Sequence, residues 1–166
     1  MALEEYLMKP ASKRPAAPEI NVSTWLNTAE DITLSSLKGR VIVLEAFQML
    51  CPGCVAHGLP QVKAVRTLFP EEDVAVIGIH SVFEHHAANS KETLKAFLYE
   101  NQLSFPVGID QPDDDGLPHT MKAYQMRGTP SLILIDRDGC LNAHFFGHVS
   151  DMQLGAMIAS LINERG

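Results

Sequence analysis

Apolar residues along the chain alternate between short β-branched runs and helical repeats. Val41–Phe47 and Val74–Ile79 are the two most continuous apolar runs and predict strands buried on both faces. Between them, Val55, Leu59, Val62 and Val65 recur at helical spacing, predicting a helix from Cys51 to about Phe69 with a kink at Pro60. Leu34–Gly39, just ahead of the first run, predicts a turn or short helix. Asn89 followed by Glu92 reads as a capping box opening a helix whose apolar face is Leu94, Phe97 and Leu98. Phe105–Ile109 predicts a short strand, and Asp113 to Gly116 an acidic loop. Ser131–Asp136 and Leu141–Phe146, joined by Arg137, Asp138 and Gly139, predict an antiparallel hairpin. Ser150 and Gln153 then cap a last helix carrying Leu154, Met157, Ile158 and Leu161. The order is strand, helix, strand, helix, short helix, hairpin, helix, which makes an α/β protein with a mixed sheet.

Residues 1–20 break this regularity. Lys9, Lys13 and Arg14 are interleaved with Pro10, Pro15 and Pro18, so the segment reads as a flexible arm with room for a short helix over Leu3–Met8. One domain, residues 21–166, is expected to follow; 166 residues leave little for a second. With 46% hydrophobic and 20% charged residues, the composition excludes a disordered chain. Thirteen basic against twenty acidic residues give a net charge of −7, which argues against a nucleic-acid partner. No apolar run reaches the roughly 18 residues needed to cross a bilayer, so no membrane partner is expected. The first residues lack an apolar core with a small-residue cleavage site, and the expected location is therefore cytoplasmic.

Three cysteines are too few, and odd in number, for a stapled scaffold. Two of them form Cys51-Pro52-Gly53-Cys54, where a buried strand gives way to a helix. Free N–H groups and the positive end of the helix dipole stabilise a thiolate there, and the thiolate is the attacking species. Cys51 is expected to be the exposed nucleophile and Cys54 to resolve the mixed disulfide from one turn further in. Glu45 is the one acid in the preceding apolar run; burial should raise its pKa and suit it to take the proton of Cys54. A zinc or copper site built from Cys51, Cys54 and His57, completed by Cys140 or His80, is the competing chemistry. Structural zinc usually recruits a second paired ligand motif and none is present, so no metal is expected. His80 closes the second buried strand, where α/β proteins place their sites, and is a candidate auxiliary group. His85 and His86 read as loop residues, Cys140 as a bystander, and Asp113–Asp115 do not meet the spacing of a calcium loop.

A second motif lies far along the chain: Tyr124-Gln125-Met126-Arg127-Gly128-Thr129-Pro130 directly ahead of the strand at Ser131. With the cysteine pair it resembles the thioredoxin superfamily, and the stretch before Val41 and the Asp136–Gly139 turn look most like its TlpA/redoxin branch. The resemblance runs from about Trp25 to Leu161. It implies a thioredoxin-like three-layer sandwich, a mixed central sheet with helices on both faces. It also implies a cis Pro130 against the cysteines, with Thr129 offering its backbone to substrate. Pro52 and Gly53 would border the substrate site and tune its potential, Arg127 would be auxiliary, and Glu45 matches the family's buried acid. Leu50 stands where thioredoxins carry Trp, and Pro-Gly replaces Gly-Pro. The implied function is thiol–disulfide oxidoreductase, with no cofactor beyond the redox-active cysteine pair. Its partners would be a disulfide-containing protein or small molecule and an upstream thiol reductant. A peroxiredoxin-like thiol peroxidase, an antioxidant function, is the alternative, but it needs Pro and Thr or Ser at positions held by Leu44 and Gln48. A redox-dependent adaptor or metal chaperone on the same fold is the non-enzymatic reading.

Overall fold

The computed structural model describes residues 9–164. The short helix expected over Leu3–Met8 lies outside them. Strands β1 (Val22–Leu26), β2 (Val41–Phe47), β3 (Val74–His80), β4 (Val107–Asp110), β5 (Ser131–Ile135) and β6 (Leu141–Phe146) form one sheet in the order β1-β4-β3-β2-β5-β6. β2, β3 and β4 run parallel to one another; β1, β5 and β6 are antiparallel to their neighbours. β2 and β3, the two most apolar runs, take the centre and are buried along their whole lengths. The mixed sheet follows from the connections. A helix returns the chain for each parallel step, whereas Arg137–Gly139 folds β6 straight back on β5, with Gly139 at φ +84°.

Helices α1 (Leu59–Leu68), α2 (Lys91–Glu100) and α4 (Asp151–Asn163) send Leu59, Val62, Leu94, Leu98, Leu154 and Ile158 against Val41, Val43, Phe47, Val74 and Val76. Alternate residues of the same strands, Ile42, Leu44, Ile77 and Ile79, face away and are covered by Met121 of α3 (His119–Ala123), by Tyr124, and by Leu34 and Leu37. Period-two alternation thus gives each central strand two apolar faces and the domain two core layers.

Three details depart from the sequence pattern. β1 is an edge strand of half-buried residues interrupted by Ser23 and Thr24, so no apolar run announces it. The α2 cap is Ser90, whose hydroxyl accepts the Thr93 N–H; Asn89 has turned away to donate to the Glu84 and His85 carbonyls. Ser150 does cap α4 through the Gln153 N–H. Of the expected flexible arm, the described residues 9–20 are held down: Arg14 is buried and pairs with Asp136 and Glu164, Ala16 bridges Cys140, and Ile20 enters the core. A buried guanidinium needs such partners to offset its lost hydration. No helix among the described residues is long and apolar enough to cross a membrane.

Candidate active site

β2 ends at Phe47, and the chain turns through Gln48–Leu50 into a helix that Pro52 opens. Proline suits this first position because its missing N–H would find no intrahelical partner there. Cys51 consequently sits at the N-cap, where its Sγ accepts the Cys54 N–H at 3.2 Å, the role a serine or aspartate oxygen plays in an ordinary cap. Cys51 is half-buried and Cys54 fully buried; the two form a disulfide with a Cα–Cα distance of 5.2 Å. The expected split into an outer and an inner sulfur is therefore present.

The second motif folds onto the first. The Thr129–Pro130 peptide is cis, and the Thr129 carbonyl oxygen lies 3.4 Å from Cys51 Sγ. Three hydrogen-bonded contacts fix this loop: Ser131 Oγ donates to the Gly128 carbonyl, the Gly147 N–H donates to the Pro130 carbonyl, and β5 pairs with β2 so that Ser131 lies opposite Ala46. Pro130 packs on the helix so closely that a Cβ built at Gly53 would stand 3.3 Å from its ring. Arg127 is engaged elsewhere, its guanidinium 5.3 Å from the centre of the Phe146 ring, where it braces the loop against β6.

The redoxin sequence profile matches residues 11–157. The chain belongs to the redoxin family. A solved thioredoxin-like superfamily protein is 58% identical, with a TM-score of 0.90 over 92% of this chain and 99% of that one. A thiol-disulfide isomerase from Corynebacterium glutamicum is 44% identical, with a TM-score of 0.88 over 93% and 99%. The thiol-disulfide oxidoreductase ResA of Halalkalibacterium halodurans is 29% identical over 136 residues, 81% of this chain and 65% of ResA. The chain spans 21% or less of several other curated relatives.

In β2, the strand that leads into the redoxin disulfide, lies Glu45, 1% exposed, with neither carboxylate oxygen hydrogen-bonded among the described residues. Burial alone pushes its pKa well above the ordinary carboxyl range. Its carboxyl reaches the backbone at Gly58, so that a Cβ there would collide with Oε1 and stand 3.1 Å from Pro130 Cβ. Gly58 thus lets helix, acid and cis-proline loop meet. The helix itself carries a π-turn at Cys54–Gly58, directly ahead of Pro60. A proline at 60 cannot donate to the Ala56 carbonyl and would crowd it, so the expected irregularity appears as a widened turn upstream of the proline.

His80 is on the same sheet face one strand over, pairs with Phe47 in the β2–β3 ladder, and packs its ring 5.3 Å from that of Phe47. It is 1% exposed, its Nε2 has no partner among the described residues, and burial lowers its pKa to about 4, with Asn89 opposing the shift. His85 and His86 lie on the exposed loop beyond it. Cys140 lies at the opposite end of β5, where Leu141 pairs with Ile135, so roughly 13 Å of strand separates it from the Ser131 end. It is a free cysteine outside the site.

The two buried groups give stability opposite pH dependences. Native Glu45 retains a proton that the unfolded chain releases above about 4.5, so its burial lowers stability as pH rises beyond that value. Native His80 refuses a proton that the unfolded chain takes up below about 6.5, so stability is lost as pH falls from there toward about 4. Between the two ordinary values the effects offset. Glu45→Gln is therefore expected to uncover a limb on which stability climbs between those pH values, and adding His80→Phe to flatten it. Urea unfolding across pH checks this, and an unchanged profile for Glu45→Gln would contradict it.

Residue reasoning missed Gly58, the π-turn and Gln61, whose buried side-chain amide donates to the Val149 carbonyl at 2.7 Å and to Asp151 at 2.8 Å. The motif around Pro60 carried a signal for the second of these only.

Proposed function

We propose that this redoxin is a thiol–disulfide oxidoreductase that reduces protein or small-molecule disulfides. The observation that carries this reading is the asymmetry of the pair: Cys51 caps a helix beside the Thr129 carbonyl, while Cys54 is sealed beneath it. In the dithiol form the Cys51 thiolate attacks one sulfur of the substrate disulfide, forming a mixed disulfide and releasing the other sulfur as a thiolate. Cys54 gives its proton to the Glu45 carboxylate and attacks Cys51 Sγ. The Cys51–Cys54 bond forms, the second substrate sulfur leaves as a thiolate, and two electrons have passed to the substrate. An external thiol reductant restores the dithiol. Thr129 and Pro130 border the sulfur and offer an extended substrate its docking edge, with Pro52 and Gly53 on the other side. Burial suits Glu45 to this exchange, since a carboxylate whose pKa is raised by desolvation is a stronger proton acceptor than an exposed one. Nicotinamide, flavin and metal have no part in these steps.

In a reducing compartment such as the cytoplasm the pair works as a reductase. Equilibration against glutathione and dithiothreitol buffers is expected to give a single two-electron couple near the thioredoxin value of about −270 mV. A potential above about −150 mV would make the protein an oxidant, and no couple at Cys51–Cys54 would end the proposal. The peroxidase alternative gains no support from Gln48: buried at the position where a hydroxyl would be needed, it accepts the Phe83 N–H.

A further inference from the structure

His57 and His148 come from distant parts of the chain, yet their ring centroids are 4.9 Å apart at an interplanar angle of 56°. Both are exposed, and neither imidazole makes a hydrogen bond among the described residues. Their spacing is set by rigid surroundings. His57 rides on the π-turn at Cys54–Gly58, immediately before the glycine packed on Glu45 and Pro130. His148 is held on both sides: the Gly147 N–H donates to the Pro130 carbonyl, and the Val149 carbonyl accepts from Gln61, which itself stands one turn after His57. Gln61 therefore ties the two histidine-bearing segments together through a buried amide.

We propose that His57 and His148 form a binding site for a late first-row divalent cation, Zn²⁺ being the reference ion, at the edge of the cysteine and cis-proline loops. Two imidazoles sharing a tetrahedral ion with Zn–N distances of about 2.0–2.1 Å hold their ring centroids roughly 5 Å apart, which is the spacing seen here. Imidazole nitrogen suits zinc, copper and nickel, and exposed rings accept a metal without a desolvation penalty. No third His, Cys, Asp or Glu side chain joins them among the described residues. The remaining coordination positions fall to water or to an added ligand, so the ion is exchangeable, unlike a structural zinc. A bound ion would clamp the first helical turn to the β6–α4 loop, and through Gly147 to Pro130. This site is separate from the disulfide chemistry and does not depend on it.

The test uses the 166-residue chain in its oxidised form, so that Cys51 and Cys54 are unavailable as ligands. Calorimetric titration with ZnCl2 is expected to give one site per chain and a rise in Tm. His57→Ala and His148→Ala are each expected to weaken binding by at least about tenfold, whereas the paired change His85→Ala with His86→Ala and the change Cys140→Ser leave it intact. Both histidines are exposed, and unaltered circular dichroism and metal-free Tm of the variants establish that they fold. Absence of zinc binding by the oxidised wild type, or binding that survives both single substitutions, would overturn the proposal.

Discussion

Cys51→Ser is expected to remove turnover of a small aromatic disulfide entirely, while Cys54→Ser keeps the first chemical step and stops at the second. The difference follows from the helix start. Cys51 Sγ accepts the Cys54 N–H and is half-buried, so it is the sulfur that a substrate can reach and the one whose thiolate the helix dipole favours. A serine hydroxyl in its place can cap the helix just as well but does not ionise near neutrality, so stability should change little relative to the reduced wild type, which also lacks the Cys51–Cys54 cross-link, while the reaction is lost. Cys54 is fully buried and meets substrate only through Cys51. Its serine variant should therefore accumulate mixed disulfides, visible as a mass increase that dithiothreitol reverses. Turnover retained by Cys51→Ser, or mixed disulfides accumulating on Cys140, would contradict the assignment.

Gly58→Ala is expected to be the most damaging single methyl that can be added near the site, destabilising the fold by about 3 kcal/mol, the upper end of the usual range for overpacking. The glycine has ordinary helical geometry, φ −60°, so conformational freedom is not why it is there. Space is the reason: its Cβ would overlap Glu45 Oε1 and press on Pro130 Cβ. The carboxyl is buried and the proline ring is rigid, so the helix, the acid or the loop must move. Slower exchange should accompany the lost stability, because the same displacement separates the groups that share the proton and dock the substrate. A double-mutant cycle with Glu45→Ala isolates the contact: shortening the acid should recover a large part of the loss, whereas additive effects would show that the two residues do not meet. Denaturant unfolding supplies both readings.

Much of the architecture could be read from apolar periodicity because β2 and β3 are buried on both faces and therefore look like unbroken runs. β1 could not, since an edge strand with one half-covered face carries no such run. The α2 cap lies one position beyond Asn89, the residue to which the capping-box pattern points. Asn89 and Ser90 are equally good caps by type, and only the backbone decides: Ser90 has the extended ψ of 160° that a cap requires, whereas Asn89 lies at ψ 44°. Residues 9–20 looked like a proline-rich arm, and nothing local reveals that Arg14 finds Asp136 and Glu164, both over a hundred residues away.

The redox pair is encoded locally. Spacing of the two cysteines at a strand-to-helix junction specifies which sulfur is outer and which inner, because helix geometry is local. Glu45 likewise stands out as the lone acid in a buried run, and the resemblance carried by the motif ending at Pro130 implies the loop that meets the pair. The convergence of helix, acid and proline at Gly58, and the closeness of His57 and His148, arise only in the folded domain. Such meetings join segments up to about ninety residues apart, and no local pattern encodes the closeness of two surfaces that are packed only after the sheet has formed.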